Sequence, residues 1–306
     1  TYEIKGPVTK TGELSPIEAG KYKFQIDSKV IGIGSFTVNI TLTKTYHETK
    51  VLTLSIAIHP ISTYAYSDYD TITLTWGDTI AFNVHYNRSR TCKGVERAST
   101  MIRLKDADTG EIVDTLSSED VGGGAYRIVI NSGNYETGSY LITVDISKEN
   151  YTSQAIIVTL TIEPIPTVAI LSNTNVTIYW NDSTIIVFTY VRTDTETGIL
   201  GATVNYYYDY ITGGVTIEGG SGLTDVNGSF TITFHATEEM PPGAYILHIN
   251  ASAPHHAPVS VEVSINVLER PLSVSISQTM VSIVWGDSTN VTVMVKDALN
   301  DAPIVD

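Results

Sequence analysis

Residues 76–86, WGDTIAFNVHY, decide the fold, because they return as WNDSTIIVFTY at 180–190 and as WGDSTNVTVMV at 285–295. Trp76, Trp180 and Trp285 are the chain's three tryptophans and stand 104 and 105 residues apart. Behind each one the apolar residues alternate, as Ile80, Phe82, Val84 and Tyr86 and later as Val291, Val293 and Val295. Successive side chains of a strand point to opposite faces, so this period of two predicts strands with one buried and one wet face.

Working outward, two further landmarks keep the same step. Gly34-Ser35-Phe36 matches Gly138-Ser139-Tyr140 and Gly243-Ala244-Tyr245, and Gly20-Lys21-Tyr22 matches Gly124-Ala125-Tyr126 and Gly228-Ser229-Phe230. A repeat of about 104 residues has the size of one β-sandwich domain. Proline-bearing joints at Pro60, Pro164 to Pro166 and Pro271 divide the chain into 1–60, the back part of a repeat; 61–164 and 165–270, complete repeats; and 271–306, the front part of another. Proline fixes φ and restricts its predecessor, so these short joints should be stiff. Within a repeat, Val259, Val261, Val263, Ile265 and Val267 alternate with polar residues, as do Ile142, Val144 and Ile146. The pattern predicts an all-β protein of packed antiparallel sheets, about seven strands per repeat. Asn227-Gly228, within Thr224-Asp225-Val226-Asn227-Gly228, reads as a hairpin turn, and Val121 to Gly124 takes its place one repeat earlier.

Composition excludes several function classes. With 42% apolar and 17% charged residues in 306, the chain can bury a core. Its formal charge of −15 argues against nucleic acid as a partner, since phosphate binding needs a basic face. A single cysteine, Cys92, rules out an internal disulfide framework and multi-cysteine metal sites. No apolar run is long enough to span a bilayer, and no leader or lipidation signal is visible, so the chain reads as a soluble, processed or excerpted segment.

The Gly-x-Tyr entry to the penultimate strand and the Thr-Asp-x-Asn-Gly turn resemble the bacterial and archaeal immunoglobulin-like domains strung along invasin-type adhesins and surface-layer proteins. The Trp-Gly-Asp opening is similar to repeats of archaeal cell-surface proteins. The resemblance covers essentially the whole chain. It implies tandem immunoglobulin-like sandwiches outside the cell, with motifs that mark the fold and carry over no catalytic residue. It also places Tyr140 and Tyr245 where such folds have a tyrosine corner, whereas Phe36 lacks the hydroxyl.

Candidate sites are few. Trp76, Trp180 and Trp285, together with Tyr140 and Tyr245, read as the repeated core; an aromatic glycan platform is the competing reading for the tryptophans. Asp106, Asp108 and Glu111 offer an outline of a calcium site, although the full loop with a third acid and a closing bidentate Glu is missing, and solvated turn acids explain them as well. Asp78, Asp182 and Asp287 read as turn residues. The histidines share no register, and neither a nucleophile elbow nor a phosphate loop is present, so no enzyme is expected. Eight sequons, at Asn39, Asn87, Asn150, Asn175, Asn181, Asn227, Asn250 and Asn290, are candidates for N-glycosylation and point to the cell exterior. Arg88, Arg90, Lys93 and Arg97 form a basic loop where the other repeats carry Asp194 and Glu196 or Asp297 and Asp301.

Counting by period sets position 1 against Lys105 and position 306 against Gly201. The two end blocks then make one repeat lacking only the strand matching Ala202–Tyr208. Two expectations follow: a window cut from a longer repeat array, or copies joined head to tail by strand complementation. The expected role is structural, a cell-surface stalk, surface-layer or filament component, with like subunits or further repeats as partners. The alternative is an adhesin segment that binds glycans or other cells.

Overall fold

The computed structural model describes residues 1–304. It divides into two units, Thr1–Glu163 and the chain from Pro164 onward. Each holds one complete repeat and one partial one. The chain is a tandem of immunoglobulin-like β-sandwiches.

In the first unit, residues 1–60 give β1 (Tyr2–Lys5), β2 (Lys10–Gly12), β3 (Ser15–Glu18), β4 (Lys21–Lys23), the short α1 (Ser28–Ile31), β5 (Gly34–Leu42) and β6 (Lys50–Ile58). One sheet has the order β2-β1-β5-β6, and β3 and β4 form a separate ribbon. Its small core gathers Ile4, Ile31, Phe36 and Val38.

The complete repeat follows as β7 (Thr63–Ser67), β8 (Thr71–Thr75), β9 (Thr79–Arg88), β10 (Ser99–Asp106), β11 (Ile112–Leu116), β12 (Ser118–Gly122), β13 (Ala125–Asn131), β14 (Gly138–Ser147) and β15 (Gln154–Glu163). Two sheets, β11-β10-β14-β15-β8 and β12-β13-β9-β7, pack the alternating residues between them. Phe82, Val84, Ile128, Ile142, Val144 and Leu160 are all buried there. Burying such a side chain is worth about 1.5–3 kcal/mol, so the alternation seen in the sequence is the main source of stability.

The second unit repeats this plan with β16 (Thr167–Leu171), β17 (Asn175–Tyr179), β18 (Ser183–Arg192), β19 (Thr203–Tyr210), β20 (Val215–Leu223), β21 (Ser229–His235), β22 (Gly243–Ser252) and β23 (Val259–Leu268). Its sheets are β16-β18-β21 and β17-β23-β22-β19-β20. Beyond them, β24 (Leu272–Ile276) and β25 (Val293–Asp297) pair only with each other among the described residues.

The complete repeats therefore hold nine and eight strands where about seven were expected. The surplus comes from strands that change sheets. β7 pairs antiparallel with β9, whereas β8 pairs parallel with β15. β16 and β17 divide in the same way between β18 and β23. In the first complete repeat β11 and β12 also belong to different sheets.

Two sequence expectations are corrected by the topology. Thr224–Gly228 is a turn, with the Gly228 N–H on the Asp225 carbonyl at 3.0 Å, but β20 and β21 lie in different sheets, so it joins sheets and closes no hairpin. The glycine-rich turn between β12 and β13 does close one. The second correction concerns the start of the chain. Lys5 faces Thr37 as Lys105 faces Leu141, so Tyr2–Lys5 corresponds to 102–105 and Thr1 does not fall against Lys105. The connection from β1 to β5 is shorter than that from β10 to β14, and counting by period absorbed the difference. Part of the strand matching Ala202–Tyr208 is therefore present as β1.

Candidate functional sites

In the two complete repeats the recurring residues are engaged in building the sandwich. The Trp76 indole N–H donates to the Tyr135 carbonyl at 3.0 Å, and the Trp180 N–H to the Thr237 carbonyl at 3.1 Å. Both indoles are half-buried against their cores. Trp285 is a correction: it is 99% exposed, because the strands that would cover it are absent from 271–304. The Tyr140 hydroxyl donates to the Glu136 carbonyl at 2.8 Å and the Tyr245 hydroxyl to the Pro241 carbonyl at 2.5 Å, each four residues back. Phe36 is buried at the same place without that bond.

Gly124 and Gly228 have φ of +80° and +74°, and a Cβ on either would lie 2.6 Å or less from a neighbouring backbone atom. The backbone that approaches them is that of Gly94 and Tyr86 at Gly124, and of Tyr190 and Ile199 at Gly228; the N–H groups of Tyr86 and Tyr190 donate to the carbonyls of these glycines at 2.8 Å. Only glycine meets both the conformation and the close approach.

A further register escaped the sequence reading. Where the first strand changes sheets, the Asp68 carboxylate accepts from the Asn83 N–H at 2.9 Å, Ser172 Oγ from Val187 at 3.0 Å and Ser277 Oγ from Thr292 at 3.1 Å. The reverse backbone bonds, from the N–H of 68, 172 and 277 to the carbonyls of 83, 187 and 292, complete a clip in each of the three blocks that begin at 61, 165 and 271. Its signal was a small acceptor eight residues before each tryptophan.

The calcium candidates form a closed turn. Asp106 Oδ1 accepts from the N–H of Asp108 at 3.0 Å and from the N–H and hydroxyl of Thr109 at 2.7 and 2.9 Å. Those bonds, the Thr109 N–H foremost, hold the Asp106 carboxyl below its ordinary pKa. Among the described residues no three His, Cys, Asp or Glu side chains are grouped to hold a metal ion.

Two histidines, His85 and His248, lie against surface carboxylates. His85 Nε2 lies 2.9 Å from Asp68 and its ring stacks on Tyr66 at 4.6 Å. His248 sits between Asp209 at 2.9 Å and Glu262 at 3.2 Å and stacks on Tyr207. Arg270 carries the largest cluster, donating to the Trp180 carbonyl at 2.6 Å, Asp297 at 2.7 Å and Asp182 at 2.5 Å.

Of the sequon asparagines, Asn150, Asn175, Asn181, Asn227, Asn250 and Asn290 are exposed and Asn39 is half-buried. Asn87 is a correction: buried at 8% exposed, it leaves no room for a glycan, and its backbone is bridged to Gly94. In that loop Arg88 is engaged by the Tyr151 hydroxyl at 2.6 Å.

No protein-family model matches the sequence, and no curated protein matches it. Among solved structures the chain is similar to the adhesin InvE of Yersinia pseudotuberculosis, at 14% identity and a TM-score of 0.33, over 67% of this chain and 59% of that one. It is also similar to fibronectin(III)-like modules of Clostridium thermocellum CbhA, at 15% identity and a TM-score of 0.27, over 67% of this chain and 95% of that one. The titin domains z1z2, solved with telethonin, match at 12% identity and a TM-score of 0.35, over 68% of this chain and 98% of that one.

Proposed function

We propose that the chain is a stretch of a non-catalytic repeat protein outside the cell, a stalk, surface-layer or filament component. One observation carries this reading: in both complete repeats the recurring tryptophan and tyrosine are engaged in building the sandwich, the indole N–H and the phenol each bonded to a backbone carbonyl. The joints support it. The Ile61 N–H donates to the Asn150 carbonyl and the Thr152 N–H to that of Ile61, while Ile165 is tied in the same way to His255 and Ala257. Each complete repeat thus fastens its own first residues, which leaves only a few free residues per joint. The exposed sequons and the acidic charge fit a glycosylated, non-sticking surface. No described helix is long and apolar enough to cross a membrane. Further repeats or like subunits are the partners this role needs, joined head to tail.

The adhesin reading is favoured by one feature, the exposed row of Tyr64 and Tyr66 stacked with His85 on edge strand β7. A glycan-array and cell-binding screen of the chain separates the two. A spacer gives no saturable binding. Binding that is saturable and lost in Tyr64→Ala/Tyr66→Ala would replace the spacer reading with the adhesin one.

A further inference from the structure

The loop that follows β9 and the loop that follows β18 share one backbone. In the first, the Arg88 N–H donates to the Lys93 carbonyl at 3.0 Å, the Cys92 N–H to that of Arg88 at 2.9 Å and the Ser89 N–H to that of Ser62 at 2.9 Å. In the second, Arg192 donates to Thr197 at 3.0 Å, Glu196 to Arg192 at 3.0 Å and Thr193 to Pro166 at 2.9 Å. Cys92 and Glu196 are both left-handed, with φ of +54° and +56°. Position 88 is therefore the structural equivalent of 192, and 90 that of 194.

The backbone is kept and the charge is reversed. In the second repeat the loop neutralises itself, since Arg192 places Nε and a terminal NH2 on the two oxygens of Asp194, at 3.0 and 2.7 Å. In the first repeat a second cation, Arg90, stands where Asp194 would be. Arg88 donates one NH2 to the Tyr151 hydroxyl at 2.6 Å, and its Nε is buried with no acceptor. A donor left in that state is unfavourable and marks a place for an acceptor. Among the described residues the arginines with a carboxylate partner are Arg103, Arg192 and Arg270, so neither Arg88 nor Arg90 has one. Both line an open pocket of about 540 Å³ together with Ile61, Ser62, Ser89 and Thr91, and no acid among the described residues lines it.

We propose that this loop docks an acidic segment of a protein partner, whose carboxylate takes in the first repeat the place that Asp194 takes in the second. The proposal goes beyond the spacer role and does not depend on it. Arginine presents its donors in a planar fork that matches a carboxylate, and two such forks on one pocket give the site both charge and direction. The hydroxyls of Ser62, Ser89 and Thr91 add donors on the same pocket. The second repeat also gives the reason for choosing a protein carboxylate: an aspartate side chain on a peptide backbone is the group seated on this fork. The chain as a whole carries a formal charge of −15, so an acidic partner is repelled elsewhere and steered to the basic loop.

The test titrates the full chain, kept reduced, with a hexaglutamate peptide at physiological salt, where loose surface attraction is screened. The backbone amides of 88–93 are followed by NMR, and saturable shifts there are the expected result. Arg90→Asp writes the second repeat's pair into the first, so the loop's own carboxylate occupies Arg88 and the peptide should bind at least tenfold more weakly. Arg127→Asp makes the same change of charge at an exposed position of β13 and should weaken binding less than twofold. Circular dichroism checks that both variants fold. No saturable shift in the parent chain, or equal weakening in the two variants, would overturn the proposal. So would a polygalacturonate, which carries its carboxylates on sugar rings, if it saturated the same amides at lower concentration than the peptide. Failure of the peptide to bind leaves the spacer reading untouched.

Discussion

The hydroxyl of Tyr245 donates to the carbonyl of Pro241 at 2.5 Å, closing a five-residue loop at the entry to β22. Tyr140 makes the same bond to Glu136. Tyr245→Phe removes one buried hydrogen bond while keeping the ring, and should cost about 1 kcal/mol. The expected reading is a lowered denaturation midpoint for the 165–270 repeat with no change in the 61–164 repeat. An unchanged midpoint would show that the bond is idle.

Burial, and after it the neighbouring Tyr210, pushes the Tyr245 hydroxyl up to about 12, and burial followed by the Asp114 carboxylate does the same for Tyr135. An unfolded tyrosine ionises near ~10. Between those values the unfolded chain has lost the proton that the folded chain keeps, so stability falls as pH rises above about 10 and is untouched below it. Alkaline melts should show this decline. Ultraviolet titration should find these phenols among the last to ionise.

Arg270 holds the start of the last segment by binding Asp182 and Asp297 together. The Leu299 N–H and then the Arg270 guanidinium hold the Asp297 carboxyl below its ordinary value. A depressed carboxyl stabilises above the unfolded pKa of about 3.9, and that contribution is lost as pH falls through the lowered folded value. Hydrogen exchange of the β24 and β25 amides should quicken in Arg270→Ala at neutral pH, and in the parent chain only in acid. Equal protection in both chains at neutral pH would mean that the arginine holds nothing.

Gly228→Ala and Gly20→Ala separate close approach from backbone strain. A Cβ at Gly228 would lie 2.3 Å from the Tyr190 carbonyl, whereas one at Gly20 meets nothing within 4 Å. Gly20→Ala should therefore cost only what a left-handed alanine costs, about 1 kcal/mol, and Gly228→Ala clearly more. Denaturation midpoints read the difference. Equal losses in the two variants would contradict the close approach.

Much of this was legible in the sequence. The tryptophan spacing and the period-two alternation carry the sandwich, because both reflect local geometry that every repeat must meet. The sheet changes were hidden, since a strand that switches partners keeps its alternation, and only Asp68, Ser172 and Ser277 mark the place. Asn227-Gly228 carries the same local turn chemistry whether the next strand pairs with the last or crosses to the other sheet. Periodicity placed Trp285 in a core, but burial depends on which strands lie opposite, and among the described residues β24 and β25 pair only with each other. Asn87 failed as a glycan site for a similar reason: a sequon marks three residues, whereas the burial of its asparagine is set by the fold around it.

The indole N–H exchange rates of the three tryptophans, read by NMR, test the central claim most directly. That claim is that one sandwich recurs and that its shared residues exist to build it. The account predicts slow exchange at Trp76 and Trp180, whose N–H groups are bonded inside complete sandwiches, and solvent-like exchange at the exposed Trp285. Solvent-like rates at Trp76 or Trp180 would contradict it.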